Sequence, residues 1–291
     1  VGCLVGPKYK KPEDQNAANF RNGSTNVDTL ASVVNVKWFD LFNDDVLKGL
    51  ITKGLENNYD MKIAMARIDR TRAELGYTKA DLLPAIGYGA TVNSNEKTFL
   101  PSNASASLSW ELDFWGKIRH ENRAVQNELL ASEEGRKVIL SNLVSDIAVT
   151  YFQLRDFDNR LIIAEKTLET RQKGYDIINQ RFKAGYVSEV DLMQIEQQVA
   201  IAEATIPAIK RQITNLENTI SILIGQAPAP IERGKTNMEL QVANNIPVSI
   251  PSILLKNRPD VNQAERIYMA SNERIGVAQA MRFPSFNIAA I

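Results

Sequence analysis

Apolar residues recur at every seventh position through much of the second half of this 291-residue chain. Leu140, Ile147, Leu154, Leu161, Leu168, Tyr175 and Phe182 form one series, supported three residues on by Leu143, Phe157, Ala164 and Ile178. The pattern breaks at Ala184, Gly185, Tyr186, Val187 and Ser188. It restarts with Leu192, Val199, Ile206, Ile213 and Ile220, doubled by Ile195, Ala202, Ile209, Leu216 and Leu223. Heptads sustained this long predict a coiled coil, and so short a break makes the two helices antiparallel. The expected hairpin covers 117–224 with its tip at 183–191, and its first helix would run about 100 Å. Arg181 and Lys183 suit a helix C-terminus, Gly185 a left-handed cap, and Ser188 an N-cap followed by Glu189 and Asp191. Capping alone accounts for most of these tip residues.

An earlier apolar seam, Met61, Ile68, Leu75 and Leu82, predicts a helix over 45–82 with a break near Asn57 and Asn58. Asp44 and Asp45 favour its start, and Pro84 stops it. The period then changes from helical to two. Strands are expected at 85–94 and 103–115 around a loop holding Asn95 and Pro101. On the second, Ala104, Ala106, Leu108, Trp110, Leu112 and Phe114 share one face, and Ser105, Ser107, Ser109, Glu111 and Asp113 the other. Strands of about 10 residues suit an outer-membrane barrel, with Tyr88, Trp110 and Trp115 at the interface. They suit a soluble hairpin with one wet face equally well.

Composition narrows the chemistry. A chain 44% hydrophobic and 23% charged is not a disordered one, and zero net charge gives no reason to propose nucleic acid. No apolar run is long enough for a transmembrane helix, so any membrane crossing falls to strands. With one cysteine, Cys3, and one histidine, His120, neither a disulfide framework nor a Cys/His metal site is expected. Most nucleophile–base pairs lack their base, so no enzyme activity, catalytic residue or cofactor is assigned. The methionines are scattered, which gives a soft-metal path no support. Cys3, behind Val1 and Gly2, fits either an ordinary cysteine or the remnant of a lipoprotein signal. The polar stretch that follows makes 1–37 an extended tether.

Shifted by 200, the chain overlays itself. Leu55 meets Leu255, Asn57 meets Asn257, Asp60 meets Asp260 and Ala64 meets Ala264. Gly76 then meets Gly276, Ala80 meets Ala280, Pro84 meets Pro284 and Ala90 meets Ala290. A tandem duplication is the natural reading. It gives a first repeat at 38–224, a connecting region at 225–251 and the start of a second repeat at 252–291. On that reading the natural protein is longer and carries a second hairpin.

Several stretches together resemble one family. They are Val5-Gly6-Pro7-Lys8-Tyr9 behind Cys3, Trp38-Phe39-Asp40-Leu41-Phe42, and Leu108 through Lys117. Arg181 through Leu192, Asn257-Arg258-Pro259-Asp260-Val261 and Arg282-Phe283-Pro284-Ser285 complete the series. The chain is similar to the NodT-type lipoprotein branch of the TolC outer-membrane efflux family. The resemblance implies a mainly α fold with a membrane β-hairpin, a TolC-like α-barrel of long coiled-coil helices joined to outer-membrane β-barrel strands. It implies a homotrimer that forms a passive duct for small molecules. The duct would dock tip-first on a periplasmic adaptor serving an inner-membrane pump of the RND type. Cys3 would carry the lipid anchor in the outer membrane, and Arg181, Gly185, Ser188 and Asp191 would meet the adaptor. Glu111 and Asp113 would face the lumen, a placement resting on alternation alone. A periplasmic adaptor-type lipoprotein with one coiled-coil hairpin is the alternative, though adaptors do not repeat a helix–Pro–strand unit.

Overall fold

The computed structural model describes residues 4–12, 44–95, 98–234 and 255–291. Its helices are α1 (Asp45–Asn57), α2 (Tyr59–Ala80), α3 (Lys117–Lys183), α4 (Glu189–Leu223) and α5 (Pro259–Ala280). The strands are β1 (Ala85–Asn95), β2 (Thr98–Leu112) and β3 (Phe286–Ala290). The described residues fall into two compact units. One holds 4–12, 62–139 and 255–291; the other holds 44–61 and 140–234.

In the first unit, α2 buries Ala64, Ile68, Thr71 and Leu75. It is tied to α3 where Thr78 Oγ1 donates to Asn122 Oδ1 (3.1 Å) and Asn122 Nδ2 to the Thr78 carbonyl (2.9 Å). From the other side α5 meets α3 through Arg274 and Glu128 at 2.6 Å. His120 is 3% exposed, and its Nδ1 lies 2.5 Å from Glu273 Oε2. The three strands form one antiparallel sheet in the order β1-β2-β3.

The span 45–82, with its break expected near Asn57 and Asn58, holds two helices parted at Asn58. Asn58 is the cause: its backbone leaves helical geometry, and its Oδ1 accepts from the N–H groups of Asp60 (2.8 Å) and Met61 (3.1 Å). That makes it the N-cap of α2. The helix ends at Ala80, two residues early, because a turn closed by Leu82 N–H to Lys79 O and Leu83 N–H to Ala80 O precedes Pro84. At the end of α5, Arg282 N–H to Gln279 O and Phe283 N–H to Ala280 O form the same turn 200 residues on.

The second strand covers 98–112 rather than 103–115. Pro101 lies inside it, at the register shift between Thr91 and Val92. A bulge tolerates a residue without an N–H. At its other end the strand gives way to the junction that starts α3.

In the second unit, Leu47, Leu50 and Ile51 of α1 are buried, as are Ile147, Tyr151 and Leu154 of α3. A Cβ at Gly54 would stand 2.5 Å from Ile147 Cδ1, so a larger residue there would require the end of the Ile147 side chain to move. Tyr151 OH donates to Asp44 Oδ2 (3.0 Å) and accepts from the Gly234 N–H (2.9 Å). Burial, ahead of the bond to Asp44, pushes the Tyr151 hydroxyl up to about 12. Pro207 sits inside α4 without ending it.

Candidate functional site

The hairpin tip is built by two helix caps. Where α3 ends, the Tyr186 N–H reaches Arg181 O and the Gly185 N–H reaches Phe182 O, each at 2.9 Å, with Gly185 at φ +78°. This is a Schellman cap, which uses carbonyls the helix end leaves unpaired. Two residues later Ser188 opens α4. Its N–H donates to Asp191 Oδ2 (3.0 Å), and its Oγ accepts from the Asp191 N–H (3.3 Å), a capping box. The hydrogen bonds from Ser188, side chain first and then backbone, hold the Asp191 carboxyl below its ordinary value.

Of the four tip residues named from sequence, Gly185, Ser188 and Asp191 therefore shape the turn. Arg181 lends its backbone carbonyl to the cap and leaves its side chain exposed. The exposed apolar groups of the tip are Tyr186 (82%) and Val190 (63%). Sequence reading passed over them because capping patterns mark what folds a turn and carry no mark for what a turn presents.

The sheet base, in the first unit, is a second candidate. Glu111 lies on β2, with its Oε1 2.6 Å from Lys117 Nζ. Asp113 does not lie on the strand. Its carboxylate accepts from the N–H groups of Ile118 (3.2 Å) and Arg119 (3.0 Å) and from Arg119 Nε (3.0 Å). Those N–H groups belong to the first turn of α3, so Asp113 works as an anion at a helix N-terminus and drops out of the strand alternation. Trp115 is likewise off the strand, stacked on Phe283 (4.6 Å between centroids) and donating Nε1 to the Pro284 carbonyl (2.9 Å). Trp110 donates to the Leu82 carbonyl at 3.1 Å.

Strand pairing decides what each sheet face presents, since residues directly opposite share a face. One face carries Tyr88 with Ala106, Ile86 with Leu108, Trp110 with Ile288, and Leu112 with Phe286. The other carries Gly89 with Ser105, Gly87 with Ser107, and Glu111 with Asn287. On the apolar face Tyr88 is 94% exposed and Ile86 75%.

Cys3 lies outside the described residues. Its neighbour Leu4 packs at the strand–helix junction, with Cδ1 2.6 Å from where a Cβ at Gly116 would stand. From there the chain runs along α5 as a strap. The Val5 N–H donates to Trp115 O (3.2 Å), Asn272 Nδ2 to Pro7 O (3.1 Å), and Tyr9 OH to Glu265 Oε1 (2.9 Å). Part of the expected tether is thus pinned to helix.

A protein-family model described as "Outer membrane efflux protein" matches residues 50–226. The chain belongs to the outer membrane efflux protein family. Nodulation protein T of Rhizobium leguminosarum bv. trifolii is 28% identical over 298 residues, covering 99% of this chain and 63% of that protein. The cation efflux system protein CusC of Escherichia coli is 28% identical over 300 residues, covering 99% of this chain and 64% of that protein. Among solved structures, the outer-membrane channel OprN superposes with a TM-score of 0.84 at 26% identity, covering 99% of this chain and 66% of OprN. A crystal structure of CusC gives 0.80 at 26% identity. The efflux-family chain therefore spans a little under two thirds of the length of these curated relatives. Its fold is mainly helical and like that of TolC-type channels.

Proposed function

We propose that this efflux-family chain is part of an outer-membrane duct, a passive channel that completes an export system and performs no chemistry itself. The observation that carries this reading is the apolar face of the sheet. Ile86, Tyr88, Phe286 and Ile288 are all 46% exposed or more on a face that no layer of the described residues covers. A soluble sheet buries such a face; a barrel in lipid presents it outward. Glu111, Ser105 and Ser107 then face the lumen. The sheet supplies strands to a β-barrel shared by three copies of the protein. The α3–α4 hairpin supplies part of a periplasmic helical wall.

Cys3 is the lipid attachment site in this reading. The tip docks on a periplasmic adaptor, with Arg181, Tyr186 and Val190 as contacts and Gly185, Ser188 and Asp191 holding their frame. The pump behind the adaptor is of the RND type, and its cargo is small molecules. Fractionation of cells fed labelled palmitate tests the reading. The full-length protein is expected in the outer membrane with label that disappears in Cys3→Ser. A soluble, unlabelled protein would overturn it.

A further inference from the structure

His120 is the one histidine of the chain, and neither the sheet nor the tip makes use of it. It stands in the first turn of α3, buried among three segments that lie far apart in sequence. From α5, Glu273 brings a carboxylate oxygen to 2.5 Å of its Nδ1. Three residues on, Gly276 faces the ring, since a Cβ there would stand 2.7 Å from ring atoms. The third segment is the strap of 4–12. A Cβ on Gly6 would lie 3.3 Å from His120 Nε2 and 2.8 Å from the Gly276 Cα. The ring is thus wedged between two glycines, one of the strap and one of α5.

The two ring nitrogens have unlike surroundings. Nδ1 meets Glu273, whereas Nε2 is buried and has no hydrogen-bond partner among the described residues. A neutral ring suits this place, because its Nδ1–H donates to the carboxylate and its Nε2 is only a lone pair. A protonated ring carries an N–H on Nε2 as well, and a buried donor without an acceptor is costly where one that reaches water is not. The contact with Glu273 joins α3 to α5, so it favours the charged ring equally whether the strap is down or lifted. What the strap changes is the access of water to Nε2. The other charges around the ring are committed elsewhere: Arg119 of α3 to Asp113, Arg274 of α5 to Glu128, and Lys11 of the strap to Glu265. The tie from α2 to this stretch of α3, Thr78 to Asn122, is neutral.

We propose that His120 is an acid-operated latch: a proton on its ring lifts residues 4–7 of the strap off α3 and α5. In the lifted state water accepts from the Nε2–H while Glu273 keeps the Nδ1–H, so both donors are satisfied. The bonds given up, from the Val5 N–H to Trp115 O and from Asn272 Nδ2 to Pro7 O, involve no titratable group. Further along, Tyr9 and Lys11 stay on Glu265 and act as the hinge. Their hydrogen bonds, that of Tyr9 first, hold the Glu265 carboxyl below its ordinary value. This fastening is therefore lost only as pH falls through that lowered value, well beneath the range in which imidazole changes charge. The latch does not depend on acylation of Cys3.

The test is hydrogen exchange of the full-length protein in detergent, read at the Val5 amide as protection over the free-chain rate at each pH. Wild type is expected to lose about fivefold of that protection or more between about pH 8 and about pH 5, with the α3 amides unchanged. His120→Gln can still hydrogen-bond Glu273 but does not titrate, and its protection is expected to stay level over that range. Glu273→Gln removes the counter-charge and is expected to move the loss to lower pH. Glu265→Gln is expected to lose protection as wild type does. Wild-type protection that stays level or rises in acid would overturn the latch. So would a loss that survives His120→Gln, disappears in Glu265→Gln or stays unmoved in Glu273→Gln. Protection lost along α3 at the same pH would mean that the whole unit opens, and that too would overturn it.

Discussion

Two glycines that end helices separate backbone strain from crowding. Gly185 closes α3 at φ +78° and Gly225 closes α4 at φ +67°, each with the hydrogen bonds of a Schellman cap. Around Gly185 a Cβ would meet open space, whereas at Gly225 it would stand 2.6 Å from the Asn57 carbonyl oxygen. Gly185→Ala should therefore cost only the left-handed strain, about 1 kcal/mol. Gly225→Ala adds a backbone clash and should cost about 2 kcal/mol or more. Hydrogen exchange at the Tyr186 and Gln226 amides, which close the two caps, measures both. Protection should fall further at Gln226, and equal losses would contradict the distinction. A residue can thus be fixed by its backbone alone, whereas Ser188 and Asp191 at the tip are fixed by side-chain oxygens that accept from each other's backbone N–H groups.

Among the elements, the sheet carries the functional argument, and consecutive residues of β2 put it to a test. Ala104 pairs with Ala90 on the apolar face, and Ser105 pairs with Gly89 on the polar one. An arginine facing lipid costs about 2–4 kcal/mol at the bilayer midplane, while one facing a wet lumen is tolerated. Ala104→Arg should deplete the full-length protein from the outer-membrane fraction, and Ser105→Arg should leave it there. Similar depletion by both would contradict a lipid-facing side. The helical elements were legible in sequence because heptads are local and redundant: α3 starts at Lys117 and the caps of the tip fall where Gly185 and Ser188 marked them. The end of β2 was less legible. Alternation continues through Asp113 and Phe114, but the first turn of α3 needs an anion for its N–H groups, and that demand turns Asp113 out of the strand. The strap of 4–12 was hidden for a similar reason. Its partners, Trp115, Asn272 and Glu265, lie far away in sequence, and the segment has no period of its own.

For the whole molecule, three facts of different kinds point one way. The family model matches 50–226, the fold superposes on outer-membrane channels, and the sheet keeps an apolar face exposed beside a polar one. Helices α2 and α5, at an offset of 200 residues, bury different positions: Ala64, Ile68 and Leu75 on α2 against Ala270, Gly276 and Ala280 on α5. The duct proposed above would move nothing by itself, so ions should cross it with neither nucleotide nor proton gradient. Purified full-length protein added to a planar lipid bilayer under voltage alone is the most direct measure. The account predicts stepwise ion conductance, and a bilayer that stays sealed with the protein inserted would contradict it.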